Sequence, residues 1–150
     1  MITSKVLFDT NVLVYHQNKD DFFYQYSRQY HQKVWEGKIT GVIASQNFLE
    51  LSAVLTNTHQ TKHPLSIQKV ASEIEKYLKS GFFKIIYPNS DTLNIYLDLI
   101  RKYRLSHYRK IFDVFLVATV LSNDVNTILT ANVKDFNFAE IKTIDLTAVK

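Results

Sequence analysis

Short apolar runs alternate along this chain with longer stretches in which apolar residues recur every three or four positions. Lys5-Val6-Leu7-Phe8, Gly41-Val42-Ile43-Ala44, Phe83-Lys84-Ile85-Ile86-Tyr87 and Thr127-Ile128-Leu129 are of the first kind. Each predicts a strand, the third stopped by Pro88, and Lys142-Thr143-Ile144 is a candidate fifth. The runs are nearly continuous rather than alternating, as strands covered on both faces require. Between them the spacing predicts helices over Asn11 to about His16, about Phe22 to Trp35, and from Ser45 as N-cap to about Leu55. Further helices are predicted from a Ser66 cap to Lys79, closed by Gly81, from about Asp91 to Tyr103, and from Ile111 to Leu121. Strands alternating with helices imply an α/β fold: a three-layer α/β/α sandwich about a mostly parallel sheet of four to five strands. With three glycines, two prolines and no linker or repeat, the 150 residues are expected to form one domain, 1–150.

That architecture says where chemistry would sit. In an open parallel sheet the crevice lies beyond the carboxyl ends of the strands. Asp9 ends the first strand, a position that suits both a ligand and an N-cap. Asn11, two residues on, is placed to turn back on a metal-bound water or on Asp9 itself, or to cap the first turn. Asp113 lies in Ile111-Phe112-Asp113-Val114-Phe115-Leu116-Val117, in a helix apolar on every face and so expected to be buried. A carboxylate there is costly unless it pairs with Arg109, Lys110 or another base, or binds a cation. Glu50, in Phe48-Leu49-Glu50-Leu51, stands about one and a half turns into its helix, as a ligand or on a solvated face. After Leu129 the chain carries Asn132 and Asp135, either turn residues or further ligands. Separate segments thus bring oxygen donors to one edge of the sheet. Such donors suit Mg2+ or Mn2+, which lower the pKa of a water and offset charge on a leaving phosphate oxygen.

Composition narrows the choice. The chain has no cysteine, which excludes disulfides, Cys-ligated zinc and thiol catalysis and fits a reducing compartment. No apolar run is long enough to span a membrane, and Met1-Ile2-Thr3-Ser4-Lys5 lacks the order of a signal peptide. A cytoplasmic protein without membrane contact is expected. The net charge of +4 is compatible with a nucleic-acid partner. Arg101-Lys102-Tyr103-Arg104 and Tyr108-Arg109-Lys110 form a basic, aromatic stretch before Asp113. It reads as a grip on RNA phosphates through Arg104, Arg109 and Lys110, or else as a solvated helix end and loop. His59 and His63 have the spacing of a helical metal pair, but Pro64 argues for a loop and against that role. The aromatic residues from Phe22 to Tyr30 fit a core or a dimer contact better than a base-stacking platform.

Four segments together resemble the PIN-domain nucleases, and most closely the VapC-type toxins of type II toxin–antitoxin systems. Val6-Leu7-Phe8-Asp9-Thr10-Asn11-Val12-Leu13 is similar to the opening Asp-Thr-Asn motif. Ser45-Gln46-Asn47-Phe48-Leu49-Glu50-Leu51 resembles the second, where the glutamate is a ligand. Asp113 followed by Leu116-Val117-Ala118-Thr119-Val120-Leu121 resembles the third. Leu129-Thr130-Ala131-Asn132-Val133-Lys134-Asp135-Phe136 resembles the fourth. The resemblance implies a metal-dependent endoribonuclease, with Asp9, Glu50, Asp113 and Asp135 as catalytic ligands and Asn11 and Thr130 in support. It also implies Mg2+ or Mn2+, an RNA substrate, a small antitoxin that blocks the site, and a homodimer. Two departures stand out. A glycine common before the fourth strand is replaced around Asn123-Asp124, and Asn132 stands where the fourth acid sometimes falls. Either Asp135 or Asn132 therefore completes the set. Two rivals are a catalytically silent RNA-binding PIN domain and an aspartate-based phosphotransfer domain. A haloacid-dehalogenase-like phosphatase would need a second aspartate where Asn11 stands, and a receiver would want paired acids and a late lysine.

Overall fold

The structure is a computed structural model and describes residues 3–148. Met1 and Ile2, which open the stretch read for a leader, lie outside the described residues, as do Val149 and Lys150. The chain runs β1 (Lys5–Phe8), α1 (Thr10–His16), α2 (Tyr24–Trp35), β2 (Thr40–Ala44), α3 (Ser45–Thr56) and α4 (Ile67–Ser80). It continues through β3 (Phe83–Ile86), α5 (Thr92–Tyr103), a 3-10 turn (Tyr108–Lys110) and α6 (Ile111–Ser122). It closes with β4 (Thr127–Thr130), a second 3-10 turn (Val133–Phe136) and β5 (Lys142–Asp145). The five strands form one sheet in the order β3-β2-β1-β4-β5, and every pairing is parallel. No helix among the described residues is long and apolar enough to cross a membrane.

Side chains alternate across the strands and build a core on each face. Val6, Phe8, Ile43, Phe83 and Leu129 point to one side, under Leu13 of α1, Val34 of α2, Leu51 of α3 and Tyr77 of α4. Leu7, Val42, Ile86 and Ile128 point to the other, under Leu99 of α5 and Val114, Val117 and Ala118 of α6. Each fully buried side chain of this size contributes roughly 1.5–3 kcal/mol. The near-continuous apolar runs follow from this double cover. At Gly41 the approach is so close that a Cβ would meet the Phe83 ring at 2.6 Å and Val34 at 2.8 Å.

Several boundaries follow local chemistry. Ser66 accepts a hydrogen bond from the Lys69 N–H at the start of α4, and Gly81 ends that helix with φ 72°. Ser45 is not the cap of α3; it lies inside the helix. The cap residue is Ala44, whose N–H donates to Asn47 Oδ1 at 3.0 Å. α6 is also not buried on every face: Ile111 is 46% and Phe112 68% exposed, and burial begins at Val114. Asp124, at the place where the resembling motif has glycine, takes φ 57°, a conformation aspartate tolerates better than most residues. Residues 57–66, with His59 and His63, form a loop.

One polar group is sealed into the first core. His31 is buried on α2, stacked on His16 with ring centroids 3.7 Å apart. Its Nδ1 lies 2.9 Å from the Ser27 carbonyl, which can only accept, so Nδ1 carries the proton. Nε2 then accepts from the Tyr77 hydroxyl at 2.8 Å. Burial, with His16 beside it, pushes the His31 pKa down to about 3. A lowered histidine pKa contributes stability that is complete above the unfolded value, near 6.5, and is lost as pH falls from there towards 3. Between pH 7.5 and pH 5 the wild type should therefore lose roughly 2 kcal/mol relative to His31→Gln. Urea unfolding of both proteins at the two pH values measures this. A stability gap that does not change with pH would show that His31 is not held neutral.

Candidate active site

The strand order reverses direction at β1: the chain moves outward to β2 and β3 on one side and to β4 and β5 on the other. The crevice beyond the carboxyl ends of β1 and β4 is the switch point, where ligands of such sheets bind. Asp9 leaves β1 there, and its N–H donates to the Leu129 carbonyl of β4 at 3.0 Å. The segment after Thr130 leaves β4 beside it.

Asp9 is 8% exposed and caps α1, its Oδ1 accepting from the Thr10 N–H at 2.8 Å. Its Oδ2 accepts from the Thr130 hydroxyl at 2.8 Å and from Asn11 Nδ2 at 3.2 Å. Asn11 in turn accepts from the Ala131 N–H at 3.2 Å, and Thr130 Oγ1 accepts from the Asn132 N–H at 3.0 Å. Asn11 and Thr130 thus both donate to Asp9 Oδ2. Asp9 is both cap and candidate ligand, its oxygens held by three donors from two elements, α1 and β4.

Glu50 reaches the same crevice from α3. Its Oε2 accepts from the Thr10 hydroxyl and its Oε1 from Gln46 Nε2, at 2.8 and 2.7 Å. Thr10 is itself oriented by Asn47 Nδ2 at 3.1 Å. Gln46 Nε2 also donates to the Phe112 carbonyl at 2.8 Å, which ties α3 to the first turn of α6, where Asp113 stands. Gln46 Oε1 is buried with no partner. Thr10, Gln46 and Asn47 were not singled out from the sequence, although all three lie inside quoted motifs. Their only sequence signal is a short polar run between a strand and the apolar stretch of the helix after it, Asp9-Thr10-Asn11 and Ser45-Gln46-Asn47.

Asp113 is half-buried at the mouth rather than enclosed, which follows from the exposed start of α6. Asp135 sits on the second 3-10 turn and pairs with Lys110 at 3.2 Å; Lys110 is 4.0 Å from Asp113. Asp9, Thr10, Asn11, Glu50, Asp113, Asn132 and Asp135 line one cleft of about 510 Å³, with Tyr15 and Gln60 on its wall. Arg104, Arg109 and Lys110, read as a grip on phosphates, do not line it, and of the three only Lys110 reaches its carboxylates. Arg109 lies against the Tyr108 ring, and Lys102 is tied to Glu140.

The electrostatics record the crowding. Burial, opposed by its hydrogen bonds and reinforced by Glu50 and Asp113, raises the Asp9 pKa to about 6. Burial, then the Asp135 charge, raises Asp113 to about 6 as well, with Lys110 opposing. Ionised carboxylates therefore repel one another here at neutral pH, a cost that a bound cation removes. The donors are all oxygen, the chemistry of a hard divalent ion. Among the described residues no three His, Cys, Asp or Glu side chains stand in finished metal-binding positions. Glu50 is turned to Thr10 and Gln46, and Asp135 to Lys110. The residues fit such an ion by their all-oxygen chemistry, and gathering on it would require these side chains to turn.

The comparisons with known proteins agree with this fold. The sequence matches the PIN domain over residues 6–142. A search of the curated proteins finds no match. Among solved structures, the chain is similar to VapBC2 from Rickettsia felis bound to a promoter DNA fragment, at TM-score 0.66 and 17% identity, covering 94% of this chain and 98% of that one. It is similar to VapBC-1 from nontypeable Haemophilus influenzae, at TM-score 0.64 and 18% identity, with 96% and 99% covered. It is also similar to VapC20 from Mycobacterium tuberculosis, described as a sarcin-ricin loop cleaving toxin, at TM-score 0.61 and 11% identity, with 91% and 98% covered. At these identities the likeness is one of fold.

Asn47 joins fold to site, since it caps α3 and orients Thr10 with one fully buried amide. Asn47→Ala leaves the Ala44 N–H without its partner and should cost about 3 kcal/mol. Thr10→Val, which keeps the shape, should cost about 1 kcal/mol. Denaturant midpoints of both variants check this order; equal losses would show that Asn47 is not the brace.

Proposed function

The chain belongs to the PIN-domain family, and from that premise we propose that it is a metal-dependent endoribonuclease, the toxin of a toxin–antitoxin pair. The observation that carries the proposal is the convergence of Asp9, Glu50, Asp113 and Asp135 on one cleft at the switch point of the sheet. Asp9 and Asp113 would hold Mg2+ or Mn2+, with Glu50 and either Asp135 or Asn132 completing the set. The bound ion would lower the pKa of a water and offset charge on the leaving oxygen of an in-line displacement at phosphorus. The chain supplies the rest. Four carboxylates against one ammonium would repel a phosphodiester, so RNA enters only once that charge is offset. Thr130 and Asn11 keep Asp9 from turning away, and Thr10 and Gln46 keep Glu50 on the cleft wall. Tyr15 offers an aromatic face beside the carboxylates, and exposed Arg104 and Arg109 lie farther along the surface for phosphates to follow.

A toxin–antitoxin complex among the similar structures supports an antitoxin partner; that this partner is small and covers the cleft, and that the chain forms a homodimer, belong to the proposal. A cytoplasmic setting suits both partners. A second reading keeps the fold and gives up turnover, as an RNA-binding PIN domain. Asn132 on the cleft wall favours it, because an amide binds metal less strongly than a carboxylate.

Purified protein incubated with mixed RNAs separates the two. The wild type should cut in Mg2+ or Mn2+ and stop in EDTA. Asp9→Asn and Asp113→Asn should each lose at least about 100-fold, more than supporting partners of a metal site usually cost. Cutting that survives EDTA, or persists in both variants, would rule out this mechanism. Asp135→Asn beside Asn132→Ala shows which residue completes the set.

A further inference from the structure

Among the described residues, Lys110 is the basic residue that pairs with the candidate ligands. Its Nζ stands 3.2 Å from Asp135 Oδ1 and 4.0 Å from Asp113 Oδ2, so it spans carboxylates carried by two different elements. The three side chains are between 31% and 42% exposed. An ion pair so open to water adds little to stability, and the fold does not depend on it. On the 3-10 turn Tyr108–Lys110, Tyr108 and Arg109 are exposed and Lys110 is half-buried; Lys110 does not line the cleft but meets it at its rim, through Asp135 and Asp113. On the other wall Glu50 is held by the neutral donors Thr10 and Gln46. The cluster is therefore lopsided, with a built-in cation on the Asp113–Asp135 side and none shown at Glu50.

Resting on the nuclease reading, we propose that Lys110 is an internal counter-ion. It holds Asp113 and Asp135 together before a divalent ion arrives, competes with that ion for them, and then turns to the RNA phosphate. Two cations cannot share these oxygens without repulsion. The lysine stem has four rotatable carbons and a compact ammonium, so it can give up the carboxylates and meet a phosphate oxygen a few ångströms away. One residue thus weakens the resting affinity for metal and strengthens the grip on substrate. A lysine that served only as a phosphate contact would leave metal affinity unchanged, and a surface ion pair without a role would leave cleavage unchanged.

Mn2+ titration calorimetry without RNA, together with cleavage at saturating Mn2+, tests this on the full chain. Lys110→Met, which keeps the aliphatic stem, should bind Mn2+ on the order of 3- to 10-fold tighter. It should also cut at least about 10-fold more slowly. Lys110→Arg, which keeps the charge, should stay within about 2-fold of wild type in Mn2+ affinity. Unfolding temperatures confirm that both variants fold, as the exposed pair predicts. Unchanged or weaker Mn2+ binding by Lys110→Met, or undiminished cleavage, overturns the proposal while leaving the nuclease reading in place. Absence of Mn2+ binding by the wild type, or equal binding by Asp113→Asn, overturns both.

Discussion

A carboxylate taken out of water at the seam between β1 and β4 is the constraint on which the rest of this molecule turns. Asp9 is nearly enclosed, yet it must be ionised to serve as a ligand. Burial alone would favour its neutral form. The chain offsets this with donors from three places: the first N–H of α1, the Thr130 hydroxyl at the end of β4, and the Asn11 amide. Those same bonds fix how α1 leaves the sheet and how the chain leaves β4. The parallel register Phe8↔Leu129 brings the two exits side by side. The supporting set is thus part of the fold's own hydrogen bonding.

The second wall is built by neutral donors and the third by a cation. Asn47, Thr10 and Gln46 pass orientation from the start of α3 to Glu50 and on to the Phe112 carbonyl beside Asp113. Lys110 stands opposite, against Asp113 and Asp135. The carboxylates keep a shared cleft without sharing a position. That arrangement lets several like charges coexist in the absence of metal, at the cost of the raised pKa values of Asp9 and Asp113.

Much of this was legible in the sequence, and the reasons are local. Uninterrupted strands announced a sheet covered on both sides, and Asp9 followed one of them directly. Ser66 and Gly81 bracketed α4 because caps act within a few residues. What stayed hidden depends on partners far along the chain. Thr10 meets Glu50 across 40 positions, and Gln46 meets Phe112 across 66. Ser45 is not the cap because α3 starts one residue earlier than its sequence suggests, with Asn47 at the third helical position bonding the Ala44 N–H and Thr10. Of the several bases before Asp113, Lys110 is the one that meets Asp135 and nears Asp113, contacts made between separate elements, while Arg109 lies against Tyr108. Asp113 was read as costly because its helix looked buried all round. The structure exposes the first turn of α6, so its perturbation comes partly from the acid opposite. Asn132 and Asp135 share the cleft.

The central claim is that these scattered carboxylates close on a divalent cation at the switch point of the sheet. Crystals of the wild type soaked in Mn2+ and measured at the manganese absorption edge test it most directly. The account predicts an anomalous peak about 2.1 Å from carboxylate oxygens of both Asp9 and Asp113, with Lys110 turned away from Asp113. No peak in this cleft, or one whose ligands omit Asp9 and Asp113, would contradict it.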